Sequence, residues 1–244
     1  MSWKRPTSVP YPNIWCTFEA PDPDRDDGGL ATYRVEDLTK DRFEDAIKLY
    51  TEHFLDDEPL SQYGRSVQKQ EGKANTRTVT FWRNCLNERM SVACYKDGSM
   101  ELVAANLLSV KQANCKKDID VQALSETGRK IVAVYDYMTD TGNLFQRHAV
   151  DKYLAAYGLS VNSRYRGRGI ATEILKARIP ICKAFGLRLT STNFTAIGSQ
   201  KAAMKVGFKT DLEMRYDEFV KVNPSYTFEG IKSTSIKLMS LVIE

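Results

Sequence analysis

The segment of residues 158–175, GLSVNSRYRGRGIATEIL, constrains the fold of this chain more than any other part of the sequence. It opens with an alternating apolar stretch at Leu159 and Val161, which predicts a β-strand. A cationic turn with Gly167 and Gly169 follows, and residues 171–177 are rich in helix formers. A strand that enters a helix through glycines leaves backbone N–H groups unpaired at the positive end of the helix dipole. Such a turn binds anions, and we expect a phosphate or pyrophosphate as the ligand.

Two common phosphate-binding turns do not fit this segment. It lacks the third glycine of a dinucleotide-binding turn, and no acidic residue about 20 positions later closes a strand to hold a ribose. It also lacks the Gly-Lys-Ser/Thr ending of a P-loop. The pattern Arg166-x-x-Gly169-x-Ala171 instead resembles the R/Q-x-x-G-x-G/A signature of the GNAT superfamily of N-acetyltransferases.

This resemblance implies a fold and a set of residues that bind acetyl-CoA, the acyl donor. The fold would be α/β, with a mixed, mostly antiparallel central sheet that splays apart and carries helices on both faces. The backbone of the turn would hold the pyrophosphate, and free backbone groups of the preceding strand would bond the pantetheine arm. The implied cofactor-binding residues are Leu159, Ser160, Val161, Arg166, Gly167, Arg168, Gly169, Ile170, Ala171, Thr172 and Lys205.

A second segment, residues 186–208, follows the order that this family has after the phosphate-binding helix. A strand, a polar loop and a short helix lead to Gly207-Phe208, and Gly207 suits the C-terminal cap of that helix. Lys201 and Lys205 lie four residues apart on one helix face, where the family arrangement would place them near the anionic cofactor. Two lysines on a helix are, however, usually solvated surface charges.

A third segment, Asp56-Asp57-Glu58-Pro59-Leu60, looks like the end of the first helix in the insect arylalkylamine N-acetyltransferases, a branch of the same superfamily. That resemblance implies Glu58 as the general base. The role is chemically sensible, because an alkylamine with a pKa of about 10 is almost fully protonated at pH 7 and must lose a proton to attack a thioester. Asp56 and Asp57 add negative potential that should attract a cationic amine.

The departing CoA thiolate needs a proton, and the usual donor of the wider family is missing. Many members have a tyrosine four residues before the Gly-Phe pair, where this chain has Ala203. The insect branch has hydroxyls earlier, which correspond here to Thr195 and Ser199. We expect Ser199 to be the better candidate, because Thr195 replaces a serine of the branch. Either hydroxyl could instead serve as a helix cap.

Composition excludes several other classes of protein. The net charge of +4 comes from 35 basic and 31 acidic residues that are well mixed, which does not indicate nucleic-acid binding. Five cysteines without a Cys-x-x-Cys pair indicate reduced thiols, and we predict no metal site. The chain has no apolar run of about 18 residues and no signal-like N-terminus, so we expect a cytoplasmic monomer without a membrane partner. We interpret His53 and His148 as structural.

The chain reads as one domain with an arm. Residues 1–30 are rich in Pro, Asp and Gly and predict an irregular N-terminal arm, and residues 31–244 predict a single acetyl-CoA-binding domain. Within it we expect helix around 65–88, a hairpin of strands near 90–96 and 101–110, and a polar loop over 111–126. Further helices are expected over 127–138 and 142–148, and a last strand over 233–241.

Two other functions remain open from the sequence. The first is an acetyltransferase for polyamines, other amines or protein lysine with the same cofactor site. The second is a catalytically weak acyl-CoA binder, which Ala203 in place of the tyrosine favours.

Overall fold

Eight strands form one sheet in the computed structural model, which describes residues 3–71, 76–113, 121 and 124–244. The strands are β1 (Ile14–Pro21), β2 (Leu30–Asp37), β3 (Val92–Lys96), β4 (Leu102–Gln112), β5 (Lys152–Val161), β6 (Leu189–Phe194), β7 (Lys209–Arg215) and β8 (Ser235–Val242). Their order is β1-β2-β3-β4-β5-β6-β8-β7, and each pairing is antiparallel except that of β5 with β6. The prediction of a mixed, mostly antiparallel sheet is confirmed.

Helices cover both faces of this sheet, as predicted. They are α1 (Phe43–Leu49), which continues into a π-turn at Tyr50–Phe54, α2 (Pro59–Glu71), α3 (Thr76–Asn87), α4 (Glu126–Gly142), α5 (Leu144–Arg147), α6 (Ile170–Ala184) and α7 (Ile197–Val206). Successive side chains of a strand point to opposite faces. Val92 and Cys94 of β3 therefore pack in the cluster that contains α6, whereas Ala93 and Tyr95 pack with α1 and α3.

β5 and β6 are paired over a short stretch and then part. Their parallel register consists of Leu154 with Thr190 and Ala155 with Ser191. β4, in contrast, accompanies β5 to its last residue, Val161. One edge of β5 beyond Ala155 therefore faces a cleft in the sheet, and this is the splay that the sequence resemblance implied.

Two strands differ from the predictions. Part of the segment 1–30, which we expected to be irregular, forms β1, because β2 offers it an antiparallel partner and Phe18 stacks on Tyr33 at 5.5 Å between ring centroids. β7 was not predicted, because it is an edge strand whose residues are mostly polar and exposed. Its partner β8 lies about 20 residues away in sequence, so no local signal marks the pair.

The predicted helices and hairpin are largely confirmed, with shifted boundaries. The helical stretch expected over 65–88 is two helices, α2 and α3, of which α2 begins at Pro59. β3 and β4 form the expected hairpin, and the last strand occupies Ser235–Val242. α7 ends at Val206, and its C-cap Gly207 has a φ of +105°, the left-handed conformation expected for a glycine cap. Most of the predicted loop 111–126, with Cys115, lies outside the described residues.

Candidate active site

The turn between β5 and α6 has the backbone that an anion site requires. Gly167 and Gly169 have φ of +76° and +84°, and beyond their immediate neighbours no heavy atom lies within 4 Å of a Cβ built on either. Gly169 is the N-cap of α6, and no side chain caps this end of the helix. The Thr172 N–H bonds back to the Gly169 carbonyl at 2.9 Å, while the preceding N–H groups of the first turn have no partner within the helix. Ile170 is buried and anchors the turn to the core.

β5 directs the polar groups of two of its residues into the cleft. The Asn162 N–H bonds to the Val103 carbonyl of β4 at 2.9 Å. Because antiparallel strands bond through alternate residues, Ser160 also turns its backbone toward β4, whereas Leu159 and Val161 turn theirs away from it. β6 has already diverged at this level. The N–H and C=O groups of Leu159 and Val161 thus line an open strand edge.

Some polar side-chain atoms near the turn have hydrogen-bond partners, and others are buried without one. Arg166 Nε donates to the Val161 carbonyl at 2.9 Å, and its Nη2 forms an ion pair with Asp57. The Ser160 hydroxyl and the Nε of Arg168 are buried with no hydrogen-bond partner among the described residues. Buried polar atoms normally have a partner, so these two mark places where a polar ligand would complete the hydrogen bonding.

Glu58 lies at the start of α2 instead of at the end of the first helix, where the sequence resemblance placed it. Its Oε1 accepts the Leu60 N–H at 3.1 Å and its Oε2 accepts the Ser61 N–H at 2.6 Å. Pro59 occupies the first helical position, where its missing N–H costs nothing. The residue is 7% exposed, so it is not a solvated surface carboxylate.

Tyr135 contacts the carboxylate of Glu58, and the charge of this carboxylate also affects Tyr216. The Tyr135 hydroxyl donates to Glu58 Oε1 at 3.4 Å, and burial together with the charge of Glu58 raises the pKa of Tyr135 well above its usual range. Burial and then the charge of Glu58 also raise the pKa of Tyr216. The Tyr216 hydroxyl donates to the Thr195 carbonyl at 3.4 Å. Tyr216 shares a hydrophobic cluster with Leu60, so it connects the segment of Glu58 with Thr195, although 137 positions separate Glu58 and Thr195 in sequence.

The carboxylates that precede Glu58 are not free to attract a cation, contrary to the prediction. Asp56 forms an ion pair with Arg65 at 2.7 Å, and Asp57 pairs with Arg166 of the glycine turn. Each negative charge is compensated because folding brings an arginine beside it. The second pair also connects the Glu58 segment directly to the turn that precedes α6.

Comparison with known proteins identifies this arrangement. The acetyltransferase (GNAT) family profile matches residues 124–208, from α4 through the turn to Phe208. A solved structure from the yellow fever mosquito Aedes aegypti, provisionally named arylalkylamine N-acetyltransferase 7, is 40% identical, with a TM-score of 0.91 over 99% of this chain and 100% of that chain. The chain belongs to the GNAT acetyltransferase family. Within it, the chain lies in the insect arylalkylamine N-acetyltransferase-like branch, and it is an N-acetyltransferase.

More distant GNAT structures share the fold. Arylalkylamine N-acetyltransferase 2 of Aedes aegypti is 21% identical, with a TM-score of 0.77 over 87% of this chain and 99% of that chain. The polyamine N-acetyltransferase of Drosophila melanogaster is 14% identical, with a TM-score of 0.70 over 86% of this chain and 100% of that chain. No curated protein sequence matches the chain. GNAT enzymes use acetyl-CoA.

The two hydroxyls predicted as proton donors in this GNAT enzyme lie in different surroundings. Thr195 is 6% exposed at the end of β6, and its carbonyl accepts the Ser233 hydroxyl at 2.7 Å. The Ser199 hydroxyl donates to the Ala196 carbonyl at 2.8 Å within the first turn of α7. The structure thus joins Thr195 to the Glu58 neighbourhood through Tyr216, and none of the described contacts does the same for Ser199.

The other α7 residues singled out in the sequence are divided between the buried and the exposed face of the helix. Ala203 is buried, while Lys201 and Lys205 are both exposed on the surface of this GNAT domain. None of the helices among the described residues has the length and apolar character needed to cross a bilayer.

Sequence reasoning missed several partners in and around the site. Tyr135 carries no local signal, because it meets Glu58 across 77 positions of sequence. His148, which we interpret from the sequence as structural, has a carboxylate partner, because its Nε2 lies 2.8 Å from Asp211 Oδ1. That contact depends on the unpredicted strand β7, so no spacing along the chain could have shown it.

Proposed function

We propose that this N-acetyltransferase transfers acetyl from acetyl-CoA directly to a small primary amine, with Glu58 as the general base. The amine class is an arylalkylamine, such as dopamine, tyramine, octopamine or serotonin. The observation that carries the proposal is the position of Glu58, a buried carboxylate whose segment is joined through the Asp57–Arg166 ion pair to the open glycine turn.

The residues around the cleft fit acetyl-CoA as the acyl-donor substrate. The uncapped start of α6, with Gly167 and Gly169 in open space, suits a pyrophosphate. The backbone N–H and C=O of Leu159 and the N–H of Val161 suit the amide groups of a pantetheine arm, which can pair with them as a strand would. Lys205, exposed at the far end of α7, supplies positive charge for an anionic ligand.

The chemistry assigned to Glu58 is proton removal. At pH 7 an alkylammonium with a pKa of about 10 must lose its proton at a cost of about 4 kcal/mol. Glu58 accepts that proton, directly or through water, as the nitrogen bonds to the thioester carbon. The nitrogen gives its second proton to water, the carbon–sulfur bond breaks with its electron pair leaving on sulfur, and the thiolate takes up a proton, which yields a neutral amide and CoA. Ser199 and Thr195 are the proposed donors, and a thiolate can also leave without a protein acid.

The aromatic surroundings of Glu58 support an arylalkylamine as the acceptor. Tyr63 and Tyr216 both contact Phe228, with ring centroids 5.3 and 6.3 Å apart. Tyr135, which packs against the same hydrophobic cluster, donates to Glu58 at 3.4 Å. Aromatic rings beside a carboxylate suit a molecule with a ring at one end and an ammonium at the other.

The direct test is release of CoA by the purified protein from acetyl-CoA and a panel of amines. The panel contains an arylalkylamine, an imidazole amine, a polyamine and a lysine peptide. Release with the arylalkylamine class alone is the expected result. Release confined to the polyamine or the peptide would replace the acceptor, and binding of acetyl-CoA without release under any amine would support the acyl-CoA binder instead.

A further inference from the structure

A guanidinium group is buried near the point where β5 and β6 separate, beyond Ala155 and Ser191, which we call the fork. Among the described residues, no carboxylate lies beside it. Arg178 of α6 has 0% of its surface exposed. Its Nε and Nη2 donate to Asn106 Oδ1 at 3.0 and 2.8 Å, and its Nη1 donates to Thr192 Oγ1 at 2.8 Å. No acidic side chain in the described part of the chain forms an ion pair with it. Burial lowers the pKa of Arg178 to about 10, so the group stays charged at neutral pH.

Such a charge is unusual because a buried ion is normally paired. Its two partners show where it lies. Asn106 belongs to β4 and stands opposite Leu159 of β5. Thr192 belongs to β6 and directly follows Ser191, the last residue of β6 that pairs with β5. The guanidinium therefore spans one face of β5, from β4 to β6, at the level where the cleft opens.

Asn106 connects this charge to the backbone of β5. Its Nδ2 donates to the Gly158 carbonyl at 2.5 Å, and the Tyr50 hydroxyl lies 3.1 Å from the same oxygen. In a trans peptide the C=O and the N–H point in opposite directions. Since the Gly158 carbonyl points toward β4, the N–H of Leu159 in the same peptide points into the cleft. Hydrogen bonds that act in a chain polarise one another, so this N–H becomes a stronger donor.

We propose that Arg178 is a positioning residue for acetyl transfer, acting through Asn106 and the Gly158 carbonyl to strengthen the Leu159 N–H as a donor to the thioester oxygen. The inference rests on the proposed function. As the amine nitrogen bonds to the thioester carbon, negative charge develops on that oxygen, and a donor already held in place stabilises it without reorganisation. Arg178 forms no bond to the substrate and gives up no proton.

Infrared spectroscopy of bound acetyl-CoA tests this relay without turnover. Acetyl-CoA labelled with ¹³C at the thioester carbonyl is added to the full-length protein without an amine, and the labelled C=O stretch is compared with that of free acetyl-CoA. Binding to the protein without substitutions should lower the frequency of the labelled C=O stretch, because a strong hydrogen-bond donor weakens the C=O bond. Arg178→Met should lose most of this shift, and kcat should fall about 10- to 100-fold while the Kd for acetyl-CoA changes by less than about threefold.

Matched variants separate positioning from folding. Asn106→Leu breaks the same relay at another residue and should reproduce the loss of the shift, and Arg178→Lys should restore part of it. Thr192→Val removes the other contact of the guanidinium and should keep the shift. A full shift in folded Arg178→Met and Asn106→Leu would overturn the relay, as would a loss of thermal stability with unchanged kcat.

The result for the protein without substitutions shows whether the relay or the proposed function has failed. A lowered frequency without acetylation of any amine would leave the relay standing and refute the amine assignment. If acetyl-CoA did not bind at all, the proposed function and the relay would both be wrong.

Discussion

Glu58 shows how one side chain acquires its properties from distant neighbours. Its carboxylate caps α2 through the N–H groups of Leu60 and Ser61, and the Tyr135 hydroxyl reaches it from α4. A cap alone would make Glu58 a structural residue. Burial beside Tyr135 and a connection to the glycine turn give Glu58 the surroundings of a base. A capping role and a catalytic role therefore predict different effects of substituting Glu58.

Replacing Glu58 by Gln should keep the fold and remove the base. The amide retains one oxygen to accept an N–H of α2, so the free energy of unfolding should fall by about 1 kcal/mol or less. Turnover at pH 7 should fall about 100- to 10,000-fold, while acetyl-CoA affinity is retained. Raising the pH toward 10 should recover part of the rate, because more of the amine is then neutral.

The control for this substitution is Asp56→Asn, which changes a nearby carboxylate that pairs with Arg65 on the surface. It should leave turnover within about twofold of the unchanged protein, since exposed ion pairs contribute little. Full activity of Glu58→Gln at pH 7 would show that Glu58 is only a cap.

Gly169 is the second residue whose replacement discriminates between roles. Gly169→Val forces a β-branched residue to a φ of +84°, at a cost of about 1–3 kcal/mol. It should also place methyl groups where an anion would meet the start of α6. We expect the Kd for CoA to rise at least about tenfold, measured by calorimetry.

Gly186→Val is the matched control, because Gly186 has a φ of +61° and equally open surroundings but follows the other end of α6. It should cost similar stability and leave CoA affinity unchanged. Equal CoA affinity in both variants would refute the glycine turn as the phosphate site.

At the scale of elements, α1 and the β4–β5 pair are joined by one hydroxyl. The register of β4 and β5 shifts between Leu107 and Leu108, and Tyr50 from the π-turn after α1 fills the irregularity. Its hydroxyl lies 2.9 Å from the Ala105 carbonyl and accepts the Leu107 N–H at 3.0 Å. A Cβ on Gly158 would lie 2.9 Å from the Tyr50 ring, so only glycine permits this approach.

Tyr50→Phe should therefore destabilise the protein more than the loss of one ordinary hydroxyl. It removes the partner of buried backbone groups, and the free energy of unfolding should fall by about 2 kcal/mol or more in a denaturant titration. Tyr153→Phe is the control, because the described residues show no hydrogen bond from the buried Tyr153, and it should cost less than about 1 kcal/mol. Equal losses would mean that the hydroxyl of Tyr50 has no special role.

At the scale of the whole molecule, a buried ion pair fastens the N-terminal segment to the sheet. Arg5 donates to both carboxylate oxygens of Asp37 at 3.0 and 2.7 Å, and the two side chains are 5% and 1% exposed. Asp37 also accepts the Asn13 N–H at 2.9 Å and the Trp15 Nε1–H at 2.8 Å. The start of the chain and strand β1 are thus held together at one carboxylate.

Arg5→Met should leave the Asp37 charge buried without its cation. We expect the free energy of unfolding to fall by about 3–5 kcal/mol, with faster proteolysis of the first residues of the chain. Arg25→Met is the control, because Arg25 and Asp27 form an exposed pair whose side chains are 52% and 63% accessible, and its loss should leave the free energy of unfolding nearly unchanged. Comparable losses in the two variants would contradict the proposed anchoring.

The sequence by itself determined the features that depend on neighbouring residues. The left-handed glycines of the turn, the uncapped start of α6, the hairpin of β3 with β4 and the cap at Gly207 all follow from backbone preferences within a few positions. These preferences act before the chain is packed, so they are visible in sequence, and with the family resemblance they predicted the fold class.

Only the tertiary structure decided which charges and hydroxyls meet. The capping of α2 by Glu58, the pairing of Asp57 with Arg166 and the burial of Arg178 at the fork depend on which elements lie side by side. Partners such as Tyr135 are 77 positions from Glu58, and no local preference encodes that distance. Burial and charge compensation are properties of the packed molecule, which is why the surroundings of the site could not be predicted from the sequence.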